Sequence, residues 1–156
     1  MQKLTAFLPL AWILLSSPAG AQSCERMHKP KHAGPPIIGF RYGTPQKLSF
    51  YAGPAWQLRA SQNCIDALTA TVDLGAGGVQ ASGGYMLSRS GAGYVRLQES
   101  VLRTWGQPLD APARRVYMGT ELQWSLLIGV RVGRYYQVGG PGPRANLTTI
   151  SVVLGM

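Results

Sequence analysis

Two stretches and three scattered acids have the residue types that do chemistry. "HKPKH" holds His28 and His32, a spacing at which two imidazoles can chelate one metal ion from the same helix face. Pro30 stands between them and breaks that helix, and no third ligand lies within sequence reach, so no metal site is expected. "GAGGVQASGG", residues 75–84, has the glycine content of a nucleotide loop. It lacks the P-loop lysine, and its surroundings alternate as strand–turn–strand rather than strand–turn–helix. Asp73, Glu99 and Glu121 fall in separate segments with no recognisable spacing. The only histidines are His28 and His32, so a Ser–His hydrolytic site in the rest of the chain is excluded. No catalytic residue and no cofactor is expected, and the protein reads as a non-enzyme.

The composition narrows the classes further. The 156 residues carry a formal net charge of +9, yet only 13% are charged, while 46% are hydrophobic and 20 are glycine. Ordinary soluble domains have about 25% charged residues. Residues 1–21 contain Lys3, an apolar run from Leu4 to Leu15 and the small-residue site Ala19-Gly20-Ala21. That is the pattern of a cleaved secretory signal peptide, and the run is too short to span a membrane as a helix of roughly 20 residues. Residues 22–36, "QSCERMHKPKHAGPP", are basic and Pro-rich without periodicity and read as a tail. Residues 37–156 form one domain. Export and the dispersed arginines point to anionic lipid or internal ion pairs, and no nucleic-acid partner is expected.

From residue 37 the pattern has period two. In "KLSFYAGPAWQLR" Leu48, Phe50, Ala52, Pro54, Trp56 and Leu58 share a face, and in "LTATVDLGA" so do Leu68, Ala70, Val72, Leu74 and Ala76. The apolar parity then changes to Val79, Ala81, Gly83, Tyr85 and Leu87. A two-residue turn at Gly77-Gly78 that pairs Ala76 with Val79 accounts for the change. Residues 116–138 keep one parity for too long to be a single strand, so a hairpin with an odd-numbered loop is expected near Leu126 to Ile128. Eight strands are predicted, at about 37–42, 47–59, 67–76, 79–88, 93–102, 115–125, 129–138 and 146–156. The main loops are 103–114 and 139–145.

The face opposite the apolar one decides the architecture. On a soluble barrel that face meets water and is rich in Lys and Glu. Here it is mostly Gly, Ser, Ala, Thr, Gln and Tyr, with Asp73, Glu121, Arg41, Arg59, Arg96 and Arg131, as in the crowded interior of a narrow barrel. The apolar side then faces outward, where lipid is the suitable solvent. Asp73, Glu121, Arg59, Arg96 and Arg131 are predicted lumen charges. Glu99 shares the outward face with Val95, Leu97 and Val101 and is out of place there. Trp56 and Trp124 near one end and Tyr136 near the other are predicted interface aromatics. "NLT" at Asn146 matches a glycosylation sequon but is read as chance.

The final segment, "TTISVVLGM", places Ile150, Val152, Leu154 and Met156 on one face. It resembles the C-terminal strand of bacterial outer-membrane β-barrels, in which apolar residues alternate back from the last residue and are read by the assembly machinery. That family usually ends in Phe or Trp; this chain ends in Met. In pattern, residues 37–156 resemble a small OmpA/OmpX-type barrel. The resemblance implies an all-β, antiparallel up-and-down transmembrane β-barrel of eight strands in the bacterial outer membrane. Its partners would be outer-membrane lipid and the assembly machinery. Its lumen would be filled by side chains, its role structural or surface-interactive, and its state monomeric.

The alternative is a soluble secreted β-barrel or sandwich that binds an apolar ligand. What covers the apolar face, lipid or protein core, separates the two. Cys24, just after the cleavage site, and Cys64, between the second and third strands, fall on the same side of such a barrel. An oxidising compartment then favours a disulfide. "AQSC" is a poor match to the lipidation pattern Leu-Ala-Gly-Cys.

Overall fold

In the computed structural model of the protein, residues 34–60, 64–90 and 92–155 are described, and they contain strands and turns but no helix. The expected signal peptide, most of the tail, Cys24 and Met156 lie outside the described residues. The strands are β1 (Ile37–Gly43), β2 (Lys47–Gly53), β3 (Ala55–Ala60), β4 (Cys64–Gly75), β5 (Gly78–Arg89), β6 (Gly93–Thr104), β7 (Val116–Ser125), β8 (Ile128–Gly139) and β9 (Asn146–Gly155). They form one antiparallel sheet in the order β2-β1-β9-β8-β7-β6-β5-β4-β3, and a further pairing of β2 with β4 closes it.

The result is an eight-stranded barrel with one extra strand, because β2 and β3 are successive halves of a single stave along β4. Phe50 pairs with Leu74 in the first half and Trp56 with Leu68 in the second. Pro54 makes the break. It has no N–H to donate, although its carbonyl still accepts from the Ala70 N–H at 3.2 Å. This splits the single strand expected over 47–59. Closure leaves the described sheet with no free long edge.

The turn between β4 and β5 differs from the expected one. Gly75 pairs with Gly78 and Leu74 with Val79, so Ala76-Gly77 form the turn rather than Gly77-Gly78. The two registers give the same parity, so the alternation could not separate them. Contacts from other elements choose between them: the N–H groups of Ala76 and Gly77 donate to the carbonyls of Leu48 and Gln46, at 3.3 and 3.1 Å. The β7–β8 hairpin has the odd-numbered connection that preserves parity, with Ser125 opposite Gly129.

The two ends of the barrel are unequal. At the end where β1 begins and β9 finishes, β3 and β4, β5 and β6, and β7 and β8 follow one another with only two or three residues between them. The opposite end carries 44–46, 76–77 and the longer loops 105–115 and 140–145. Those loops are tied down. The Thr104 hydroxyl donates to Pro112 O at 2.8 Å, the Leu109 N–H donates to Pro45 O at 2.9 Å, and Arg115 Nη1 donates to Gln137 Oε1 at 2.7 Å.

Candidate functional site in the barrel lumen

Alternation sends every second side chain into the barrel, and the inward set is the polar one. Asp73, Arg96 and Arg131 are completely buried, and Glu121 and Arg41 nearly so. The outward set includes Ile38, Phe40, Leu48, Phe50, Val72, Leu74, Leu97, Leu122, Val132, Ile150, Val152 and Leu154, all large and all exposed. The usual distribution of a soluble fold is inverted.

The charged side chains converge near the middle of the lumen. Arg131 Nη1 lies 2.8 Å from Asp73 Oδ2 and 3.7 Å from Glu121 Oε2. Arg41 Nη1 bridges the same two acids from another stave, 3.1 Å from Asp73 Oδ2 and 3.6 Å from Glu121 Oε1. Glu121 Oε2 also accepts from Gln80 Nε2 at 2.6 Å, Gln98 Nε2 at 2.5 Å and Ser100 Oγ at 3.2 Å. Each carboxylate is thus held between two guanidiniums. Arg96 Nη2 donates to Gln123 Oε1 at 2.9 Å, and Arg131 Nε shares that acceptor at 3.1 Å. Both arginines lie over the Tyr51 ring, 6.0 and 5.3 Å from its centroid. Buried charges need such partners.

Small residues make room for these groups. Gly133 pairs with Glu121 across β7 and β8, and a Cβ at Gly133 would come within 2.7 Å of both Glu121 Cγ and Thr149 Oγ1. Gly39 leaves the space that the Tyr51 hydroxyl end occupies. Tyr51, Tyr117 and Tyr135 are fully buried and fill the rest of the section together with the arginines.

Of the lumen charges expected from sequence, Asp73, Glu121, Arg96 and Arg131 meet here, and Arg41 joins them. Arg59 does not. The register between β3 and β4 shifts between Gln57 and Arg59, so Leu58 and Arg59 are both exposed. A bulge of this kind re-aims the residues that follow it. The parity of β5, β6 and β7 also turns Gln80, Ser82, Gln98, Ser100 and Gln123 inward. Gln80, Gln98 and Ser100 bind Glu121, and Gln123 binds Arg96 and Arg131, partnerships that sequence reading did not assign.

The chain matches no protein-family model, no curated protein and no solved structure.

The remaining predicted residues lie elsewhere. Trp56 and Trp124 are half exposed on the outer face, toward the end with the short turns, and Tyr136 is half exposed toward the other end. Ile150, Val152 and Leu154 line the outer face of β9. Cys64 opens β4 and is buried. Among the described residues no three His, Cys, Asp or Glu side chains are grouped to hold a metal ion.

Proposed function

We propose that this chain is an exported outer-membrane β-barrel with a closed, side-chain-filled lumen, and that its role is structural or surface-interactive rather than catalytic. The observation that carries the reading is the inverted burial: arginine, aspartate and glutamate inside, a belt rich in exposed Leu, Val, Ile and Phe outside. Water is a poor solvent for such a belt, and a bilayer is a good one. A closed sheet also satisfies its strands' backbone groups in lipid. The ion network supports a structural role, since both lumen acids are bound by arginines. Fractionation after export tests the reading. The native protein is expected with the outer membrane and to need detergent for extraction, and recovery as a soluble monomer without detergent contradicts it.

Within this reading, residues 22–36 are a basic periplasmic tail, and the tail, the termini and the short turns face the periplasm. Outer-membrane lipid and the assembly machinery are the partners, with Ile150, Val152, Leu154 and Met156 as the assembly signal. Cys24 and Cys64 then share an oxidising compartment, where a disulfide would tether the tail to the rim. Mass spectrometry of the exported protein without reductant is expected to find them linked, and free thiols at both positions would remove the tether.

A further inference from the structure

One band of the outer face breaks the apolar belt, and its residues stand in register. Glu99 of β6 pairs with Thr120 of β7, Thr120 with Arg134 of β8, and Arg134 with Thr148 of β9. All four are exposed. Along each strand the outward neighbours are apolar and exposed: Leu97 and Val101 beside Glu99, Met118 and Leu122 beside Thr120, Val132 and Tyr136 beside Arg134. Thr120 Oγ1 donates to Glu99 Oε1 at 2.7 Å, and the Arg134 guanidinium lies 6.0 Å from the Tyr136 ring centroid. Glu99 and Arg134 sit near the middle of their strands, at the depth where a charge on the lipid side is most costly.

The order of the band matters. Seen from outside it runs acid, hydroxyl, base. A two-fold axis along the membrane normal, in front of Thr120, sets Glu99 of one copy opposite Arg134 of the other, Arg134 opposite Glu99, and Thr120 opposite Thr120. The patch is therefore complementary to itself, as an isologous contact requires. Adjacent strands are about 4.8 Å apart. With a strand tilt of about 40°, facing partners two strands apart differ in depth by roughly 6 Å, which one arginine side chain can span.

We infer that this face is where two copies of the chain associate side by side in the membrane, with reciprocal Glu99–Arg134 pairing at its centre. The inference rests on the membrane reading above. A closed barrel needs no partner to complete its sheet, which is why a monomer is expected from the sequence alone. The dimer instead removes a carboxylate and a guanidinium from lipid. Pairing of Glu99 with Arg134 within one barrel would be compatible with the contact but would not by itself produce association.

The test uses the whole mature chain, donor- or acceptor-labelled and refolded together into phosphatidylcholine vesicles, with energy transfer followed as lipid is added. Wild type is expected to associate. Glu99→Arg places like charges opposite one another and is expected to weaken association by about tenfold or more, and Glu99→Arg with Arg134→Glu to restore most of it. Glu99→Gln and Arg134→Gln, which add no charge and keep the barrel intact, should each weaken association as well. A wild type that stays monomeric at low lipid dilution overturns the inference, as does a double exchange that associates no better than Glu99→Arg alone. Failure of wild type to enter vesicles rejects the membrane reading itself.

Discussion

Val72 and Asp73 are neighbours in β4 with opposite surroundings. Asp73 is completely buried and bound by Arg41 and Arg131. Val72 is about half exposed and faces away from the barrel, among other apolar side chains. The same contrast recurs along β5 to β9, so each strand separates an interior held by polar contacts from an exterior that makes few contacts of its own. The two faces therefore depend on different things. The lumen is held together from within, because both of its acids are paired with Arg41 and Arg131 inside the chain. The outer face is incomplete until a solvent is supplied for it.

That difference can be broken from either side. The largest expected effect is inside. Asp73→Ala leaves Arg41 and Arg131 with Glu121 alone, and breaking a buried pair in this way typically costs about 3–5 kcal/mol. A fall of that size in unfolding free energy, measured by urea titration in vesicles, is the expected result, with a comparable fall in detergent. The outer counterpart is smaller and depends on the solvent. Val72→Arg is expected to cost up to about 2–4 kcal/mol in a bilayer, the range for a charge on a lipid-facing barrel position at the midplane. In detergent, where the head group reaches water easily, it should cost much less. Equal costs for Val72→Arg in both media would remove the contrast between the faces.

The faces were legible in the sequence because alternation fixes which side a residue takes, and the composition of the other side, Gly, Ser, Gln and Tyr with few Lys or Glu, is wrong for water. The strand pattern was legible for the same reason, down to the odd connection after Ser125. What alternation cannot supply is the register between distant strands. Asp73 and Arg131 are 58 positions apart, and their meeting depends on how the barrel closes. Closure also explains the two local departures. Pro54 shares the parity of the apolar face and does not interrupt the alternation, although it divides the stave into β2 and β3. The bulge before Arg59 arises where β3 follows β4 to the rim and has no signature in "AWQLRA". The band Glu99–Thr120–Arg134–Thr148 was half visible: Glu99 stood out as misplaced, but its alignment with Arg134 requires the β6–β7 and β7–β8 registers.

The central claim, that the exposed apolar face is covered by lipid acyl chains, is tested most directly by tryptophan quenching. Trp56, Trp105 and Trp124 are the tryptophans of residues 22–156, and Trp56 and Trp124 are half exposed on the outer face. Residues 22–156 refolded into vesicles of brominated phosphatidylcholine should show tryptophan emission strongly quenched relative to the same lipid without bromine. Emission equal in the two lipids, from a chain that is folded, would mean that the apolar face does not meet acyl chains and would contradict the account.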